Sequence, residues 1–246
     1  MNMTEGSPSG TNRKTAIIVG ALFLISYFGV FAGYAWLGPV IESPDYLAKF
    51  HSNKTQVMVG VLLELLNGIS VLGIAVIMYL LLKRHSEGIA LGYVALRVLE
   101  CGMQVAMDMS PLSLLALSRD FIQAGAPEAS SFQTLGASYL AEREAAALML
   151  LIFFSSGALL FYYLLYQTKL IPRFISLWGG IAVVLMVAMS ILGIDNIAVG
   201  MIFALPIIAD EIFLALWLIV KGFNPSAIAS NLAQGFTSSA ISSGST

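Results

Sequence analysis

Charged residues are scarce in this sequence. They make up 11% of its 246 residues, whereas apolar residues make up 58%. A soluble domain normally carries about a quarter charged residues. The net charge of −2 also provides no basic surface for a nucleic acid. The composition therefore argues against a soluble or nucleic-acid-binding protein and favours one that lies in a lipid bilayer.

Residues that commonly hold cofactors are also rare. Cys101 is the single cysteine, so the chain cannot form an internal disulfide. The two histidines, His51 and His85, fall in predicted loops, which argues against a bis-histidine haem or a histidine zinc site within the membrane. No lysine lies in the middle of an apolar run, which argues against a retinal Schiff base. We therefore predict neither a cofactor nor a metal ion.

Apolar runs dominate the rest of the chain, and runs of about 20 residues are long enough to cross a bilayer. They predict an all-α bundle of six transmembrane helices in one domain, residues 15–223. The predicted spans are 15–38, 57–82, 89–110, 137–166, 174–194 and 197–220. Polar tails, residues 1–14 and 224–246, flank this domain, and we expect the second tail to be disordered at its end.

The basic residues indicate how these spans are oriented. Six spans place both termini on the same side of the membrane. That side holds Arg13, Lys14, Lys83, Arg84, Lys169, Arg173 and Lys221. The other side holds only Lys49, Lys54 and Arg119. Because cytoplasmic loops carry an excess of Lys and Arg, we predict that both termini are cytoplasmic.

One polar stripe interrupts the apolar pattern of the third span. Residues 93–108 read YVALRVLECGMQVAMD. Positions three or four apart lie on one face of a helix. The residues that follow this spacing are Tyr93, Arg97, Glu100, Gln104 and Asp108. The sequence therefore predicts a polar face on an otherwise apolar helix.

Further polar residues lie within other predicted spans. They are Glu64 and Asn67 in the second span, and Asp210 and Glu211 in the sixth. A charge at the bilayer centre costs roughly 2.5–3.5 kcal/mol on insertion scales, so these groups should face the bundle interior. Together with Glu100 the buried carboxylates outnumber Arg97, the only arginine assigned to this depth. This imbalance implies that one carboxylate is protonated, or that water or a cation enters.

Besides a misplaced span boundary, which would leave some of these groups at the membrane interface, two interpretations of the buried charges stay open. In the first, they form an ion-pair and hydrogen-bond network that locks the helix packing. In the second, they line a cavity for a proton, a cation or a small polar ligand. The residues of that cavity would be Glu64, Asn67, Tyr93, Arg97, Glu100, Gln104, Asp210 and Glu211.

The second interpretation leads to our principal functional hypothesis, a small carrier or ligand-binding membrane protein. An intramembrane enzyme that uses the carboxylates on a lipid-like substrate is one alternative. A membrane scaffold or sensor that binds a partner protein is another.

A pair of small residues in the first predicted span concerns helix packing. Gly29 and Gly33 form a small-xxx-small pair that lets another helix approach closely, and they are the residues through which a homo-oligomer is predicted.

Three charged residues, Glu142, Arg143 and Glu144, are consecutive and so point around much of their helix. We interpret these three charges as a solvated turn at the membrane interface rather than a buried site.

Three segments of the chain resemble a known family. They are LLELLNGISVLG at Leu62–Gly73, RVLE at Arg97–Glu100 and ALPIIADEIFLALWLIVKGFNPSA at Ala204–Ala227. The likeness extends from about Thr15 to Ala227, and the chain is similar to the bacterial multi-pass membrane family named domain of unknown function 4386 (DUF4386). This resemblance implies a protein of the bacterial cytoplasmic membrane. The family provides no catalytic residue that could be carried over.

Overall fold

Seven α-helices account for nearly all of the structure, a computed structural model that describes residues 8–127, 131–191 and 197–229. The helices are α1 (Pro8–Ile41), α2 (Tyr46–Ser52), α3 (Lys54–Leu82), α4 (Glu87–Gln123), α5 (Ser131–Thr168), α6 (Arg173–Ile191) and α7 (Ile197–Val220). The described residues contain no strand, so the predicted all-α class is confirmed.

Five helices are long and apolar enough to cross a membrane. They comprise Asn12–Ile41, Lys54–Leu82, Glu87–Gln123, Ser131–Thr168 and Ile202–Val220. The sequence predicts a further span at 174–194, but the apolar part of α6, Arg173–Ala188, is shorter than these five. Residues 192–196, which include the end of that predicted span, lie outside the described residues. The described part of the chain therefore gives five candidate spans rather than six.

Several helices extend beyond the predicted spans. α4 passes the predicted end at residue 110 and continues through Pro111 to Gln123. At about 1.5 Å per residue it is roughly 55 Å long, longer than a bilayer core of about 30 Å, so part of it lies outside the core. α5 begins at Ser131, ahead of the predicted span 137–166.

The predicted polar tails are only partly described. α1 begins at Pro8, so the tail 1–14 is helical from that residue onward. Of the tail 224–246, residues 230–246 lie outside the described residues.

The helices form two compact units. The first unit comprises Met1–Leu24, Leu72–Arg97 and Phe154–Thr246. The second unit comprises Ile25–Val71 and Val98–Phe153. Each unit has its own hydrophobic core.

Aromatic side chains form the centre of the first unit. The ring of Tyr93 stacks on Phe161 with centroids 5.1 Å apart, and Phe161 also contacts Phe23. α6 packs against α7 in this unit. Gly20 lets α1 approach α7 closely, because a Cβ at Gly20 would lie 2.6 Å from the carbonyl oxygen of Ala215.

Two glycines of α1 determine its approach to α3 in the second unit. A Cβ on Gly29 would lie 2.7 Å from the Leu63 carbonyl oxygen, and one on Gly33 would lie 2.7 Å from Cγ of Glu64. The close helix approach predicted from the small-xxx-small pair is therefore confirmed, with α3 of the same chain as the neighbour. The homo-oligomer through Gly29 and Gly33 stays a prediction, although both glycines already contact α3.

Candidate functional site

The predicted site residues are buried in helices, as the sequence analysis expected. At most 7% of each residue is exposed for Glu64, Tyr93, Arg97, Glu100, Gln104, Asp210 and Glu211. Asp108, which ends the polar stripe, is also buried, and Asn67 is half-buried. The polar face of α4 therefore packs against other parts of the protein and does not face lipid.

These residues are divided between the two units. Tyr93, Arg97, Asp210 and Glu211 belong to the first unit. Glu64, Asn67, Glu100, Gln104 and Asp108 belong to the second unit. Each unit contains a buried carboxylate that is held by a side chain from another helix.

The second unit places two carboxylates against one guanidinium. Nη2 of Arg143 donates to both carboxylate oxygens of Glu64, at 2.7 and 2.8 Å. Nη1 of Arg143 lies 3.8 Å from Oδ1 of Asp108. Glu64, Asp108 and Arg143 come from α3, α4 and α5, and we call them the arginine site. Both contacts to Glu64 are short, charge-assisted hydrogen bonds from one nitrogen of the guanidinium, and such bonds are about twice as strong as those between neutral groups.

The assignment of Arg143 to a solvated turn is wrong. Its side chain is only 15% exposed and pairs with a buried acid, whereas the flanking Glu142 and Glu144 are exposed. Consecutive helix positions differ by about 100° in direction, so one of three adjacent charges can face the interior while the others face outward. The sequence analysis thus missed the basic residue that neutralises Glu64.

A proline determines where Arg143 meets α4. Pro111 has no N–H, so the carbonyl four residues earlier, that of Met107, receives no helical hydrogen bond from it. Nη1 of Arg143 donates to that Met107 carbonyl at 3.1 Å. Arg143 of α5 thereby supplies the hydrogen bond that the Met107 carbonyl lacks, and α4 can continue past Pro111.

A chain of side-chain hydrogen bonds leads to Asp108. The Ser26 hydroxyl lies 2.6 Å from Oδ1 of Asn67, the Asn67 amide lies 3.5 Å from Oε1 of Gln104, and Nε2 of Gln104 lies 3.2 Å from Oδ1 of Asp108. Each group donates to the next, so the chain ends on one oxygen of Asp108. The other oxygen, Oδ2, is buried and has no hydrogen-bond partner among the described residues.

The first unit holds its aspartate differently. The Tyr162 hydroxyl donates to Oδ2 of Asp210 at 2.6 Å, and Asp210 is fully buried. Within the described chain its other oxygen, Oδ1, has no hydrogen-bond partner, and Asp210 forms no ion pair. Gly179 of α6 lies against both side chains, because a Cβ there would overlap the Tyr162 ring and lie 2.5 Å from Asp210 Oδ2. We call Tyr162, Gly179 and Asp210 the tyrosine site.

Arg97 of the first unit lies among aromatic rings. Its guanidinium carbon is 5.5 Å from the centroid of Tyr93 and 5.1 Å from that of Phe154. Such cation–π contacts contribute about 0.5–1 kcal/mol at exposed positions and about 2 kcal/mol when desolvated. They help to hold a charged side chain that is only 3% exposed.

Three contributors to these sites were missed from the sequence. The charge pattern predicts a solvated Arg143, and the sequence does not single out Ser26 or Tyr162. A buried acid such as Glu64 signals that some cation must reach it from another span, and Arg143 is one of two arginines within predicted spans. The sequence gives no comparable sign that the Tyr162 hydroxyl pairs with an acid, because tyrosine is common in membrane helices.

The arginine site contains two carboxylates and the tyrosine site contains one. In the described residues, no three His, Cys, Asp or Glu side chains lie close enough together to hold a metal ion. The polar groups of the arginine site instead suit a single positive charge, since carboxylate oxygens only accept hydrogen bonds.

Comparison with known families agrees with the resemblance seen in the sequence. Residues 18–222 match the profile of the family described as a domain of unknown function (DUF4386). Comparisons with curated proteins and with solved structures give no match. The match covers most of the chain, and the five apolar helices are those of a multi-pass membrane protein. The chain therefore belongs to the family DUF4386.

Proposed function

We propose that this protein is a small carrier or ligand-binding protein of the bacterial cytoplasmic membrane and that it binds one cation, in the simplest case a proton, at the arginine site. In this proposal α6 also crosses the membrane, as the fifth of six spans, and both termini are cytoplasmic, as the distribution of Lys and Arg favours. The charge count of the arginine site carries the functional proposal.

The arginine site contains two acidic side chains and one basic side chain. When both carboxylates are ionised its formal charge is −1. An uncompensated buried charge is costly in a low-dielectric interior. A bound proton or cation removes that cost, and so the site favours the uptake of one positive charge.

Within this site Asp108 is the residue that we assign to cation binding. Glu64 receives two short contacts from Arg143, whereas Asp108 receives one of 3.8 Å. Asp108 also has the carboxylate oxygen without a partner in the described residues. A cation can therefore add at Asp108 while the Glu64–Arg143 pair stays intact.

The hydrogen-bond chain supports this assignment. Gln104 donates to Oδ1 of Asp108 and fixes the carboxylate in one orientation. A carboxylate held in this way presents Oδ2 to a ligand without first losing side-chain entropy. Asn67 and Ser26 hold Gln104 in turn.

The test is to replace Asp108 with Asn, which keeps the shape of the side chain and removes its charge. We expect the unfolding temperature of the wild type in detergent to vary with pH, or with the concentration of Na⁺, K⁺ or an alkylammonium ion. The Asp108→Asn variant should lose most of that variation. Uptake of the responding cation by proteoliposomes should also fall.

Asp120→Asn is the matched control, because Asp120 is exposed on the same helix. It should respond to pH and to cations as the wild type does. If Asp108→Asn keeps the full response, cation binding at the arginine site is wrong. The charges would then act in packing alone.

A further inference from the structure

A basic pocket of about 430 Å³ lies where α5 ends, α6 begins and α7 ends, within the first unit. Lys169, Arg173 and Lys221 line it together with Trp217, and its lining contains no acidic residue. We propose that this basic pocket binds a phosphate group, either in the headgroup of an anionic phospholipid or in a free phosphate-bearing solute. This proposal does not depend on cation binding at the arginine site, because the two share no residue.

The three cations of the basic pocket have no acidic counterpart in the described part of the chain. Within the described ranges, no ion pair involves Lys169, Arg173 or Lys221, and the pairs of Arg143 belong to the other unit. Residues 212–246 contain no Asp or Glu, so that whole C-terminal stretch supplies no acidic side chain as a counterion. The positive charge of the pocket is thus left for an external anion.

Carbonyl groups near these helix ends accept hydrogen bonds from donors other than the three pocket cations. Arg13 donates to the carbonyls of Leu218, Ile219 and Val220 at 3.0, 2.6 and 3.1 Å, and so caps the end of α7. The backbone N–H of Asn224 donates to the Leu170 carbonyl at 2.9 Å, just after α5 ends. These contacts are made by Arg13 and by a backbone N–H, so they leave the side chains of Lys169, Arg173 and Lys221 to a ligand.

The chemistry of the lining suits a phosphate group. Lysine provides a compact positive charge and arginine a planar fork of donors, and both bind phosphate oxygens. Arg173 begins α6, and the partial positive charge of a helix N-terminus adds to the same field. The Arg173 guanidinium also lies 4.8 Å from the Tyr166 ring, which positions it.

The position of the pocket also suits a membrane lipid. All three cations lie on the side that the charge distribution predicts to be cytoplasmic. Basic pockets between membrane helices on this side are typical headgroup sites. Trp217 is the type of residue that accompanies the headgroup level of a bilayer.

The experiment measures the unfolding temperature of the full-length protein in a neutral detergent. The probes are mixed micelles with phosphatidylglycerol, mixed micelles with zwitterionic phosphatidylcholine, and inorganic phosphate alone. We expect phosphatidylglycerol or phosphate to raise the unfolding temperature by about 2–4 °C, and phosphatidylcholine to have no such effect. If neither anionic probe stabilises the protein, the proposal is overturned.

Two triple variants of equal charge separate the basic pocket from general surface electrostatics. The pocket variant replaces Lys169, Arg173 and Lys221 with Gln, and the control variant replaces Lys14, Lys83 and Arg84 with Gln. Each removes two lysines and one arginine from the first unit, but only the first touches the pocket. We expect anion affinity to fall at least about tenfold in the pocket variant and to change less than about twofold in the control. Equal losses in both variants would contradict the proposal.

The probes also distinguish the two sources of phosphate. Stabilisation by inorganic phosphate assigns the pocket to a soluble ligand, whereas stabilisation by phosphatidylglycerol alone assigns it to a lipid headgroup. If the pocket variant does not fold, the single changes Lys221→Gln and Lys83→Gln make the same comparison. A retained response in Lys221→Gln and in Lys169→Gln would then overturn the proposal.

Discussion

A cation holds the buried carboxylate of Glu64 in the second unit, whereas a neutral hydroxyl holds that of Asp210 in the first. Arg143 makes two short contacts to Glu64, and Tyr162 makes a single hydrogen bond to Asp210. The arginine site thus depends on charge compensation. The tyrosine site depends on the space that Gly179 leaves for a ring and a carboxylate. The two sites should therefore fail under different kinds of substitution.

The largest effect is expected from Arg143→Met. Removing one partner of a buried ion pair leaves an uncompensated charge, which typically costs about 3–5 kcal/mol in the free energy of unfolding. The exposed Arg119 provides the matched control, and Arg119→Met should change the stability by less than about 0.5 kcal/mol. Denaturant titration in detergent measures both values.

A double variant tests whether charge is the cause. Adding Glu64→Gln to Arg143→Met removes the stranded carboxylate, and much of the lost stability should return. If the double variant is as unstable as the single one, lost packing rather than lost charge explains the effect.

A somewhat smaller effect is expected from Gly179→Ala in the tyrosine site. The added methyl group overlaps the Tyr162 ring, which cannot move without disturbing Asp210. Overpacking of this kind costs typically 1–3 kcal/mol, and we expect a loss of about 3 kcal/mol here. Thermal unfolding in detergent provides the measurement.

The adjacent glycine makes the control for this substitution. A Cβ on Gly180 would have Tyr162 Cβ as its nearest neighbour, at an ordinary 3.9 Å. Because alanine favours a helix over glycine by up to about 1 kcal/mol, Gly180→Ala should be neutral or stabilising. Equal losses at both positions would show that Gly179 has no special role.

Tyr162→Phe should have a moderate effect, because it removes only the hydroxyl. Oδ2 of Asp210 then loses its donor, and a buried group without its partner costs about 1–3 kcal/mol. Tyr163 is exposed next to it, and Tyr163→Phe should stay within about 0.5 kcal/mol of the wild type. If Tyr162→Phe leaves the free energy of unfolding unchanged, this hydrogen bond does not stabilise the protein.

The smallest effect is expected from Ser26→Ala, at the far end of the hydrogen-bond chain that leads to Asp108. This change removes one neutral hydrogen bond, to Asn67, at a cost of about 0.5–1.5 kcal/mol. If the chain orients Asp108, the change should also weaken the cation response described above. An unchanged cation response would limit the role of Ser26 to packing.

Helical periodicity made the polar stripe predictable. Tyr93, Arg97 and Gln104 share one face by spacing alone, and all three are buried. This inference needs no knowledge of the neighbouring helices, because the cost of a lipid-exposed charge decides which face turns inward. The approximate positions of the five candidate spans could be predicted for the same reason, whereas the predicted span 174–194 has no counterpart among these five.

Contacts between distant segments could not be predicted in this way. Whether Glu142, Arg143 or Glu144 turns inward depends on where α3 and α4 place Glu64 and the Met107 carbonyl. Likewise, Gly179 and its neighbour are equivalent in sequence, and only the approach of Tyr162 separates them. The predicted end of α4 at residue 110 is wrong for a related reason. The donor that makes Pro111 tolerable inside the helix is Arg143, which comes from another helix.

The hydrogen bond from Arg143 to the Met107 carbonyl links two distant positions of the chain. A residue other than proline at position 111 would supply a backbone N–H that competes with the guanidinium for that oxygen. The requirement for arginine at position 143 would then be weaker. Positions 111 and 143 should accordingly vary together across family members, and an alignment of relatives can detect that covariation without a structure.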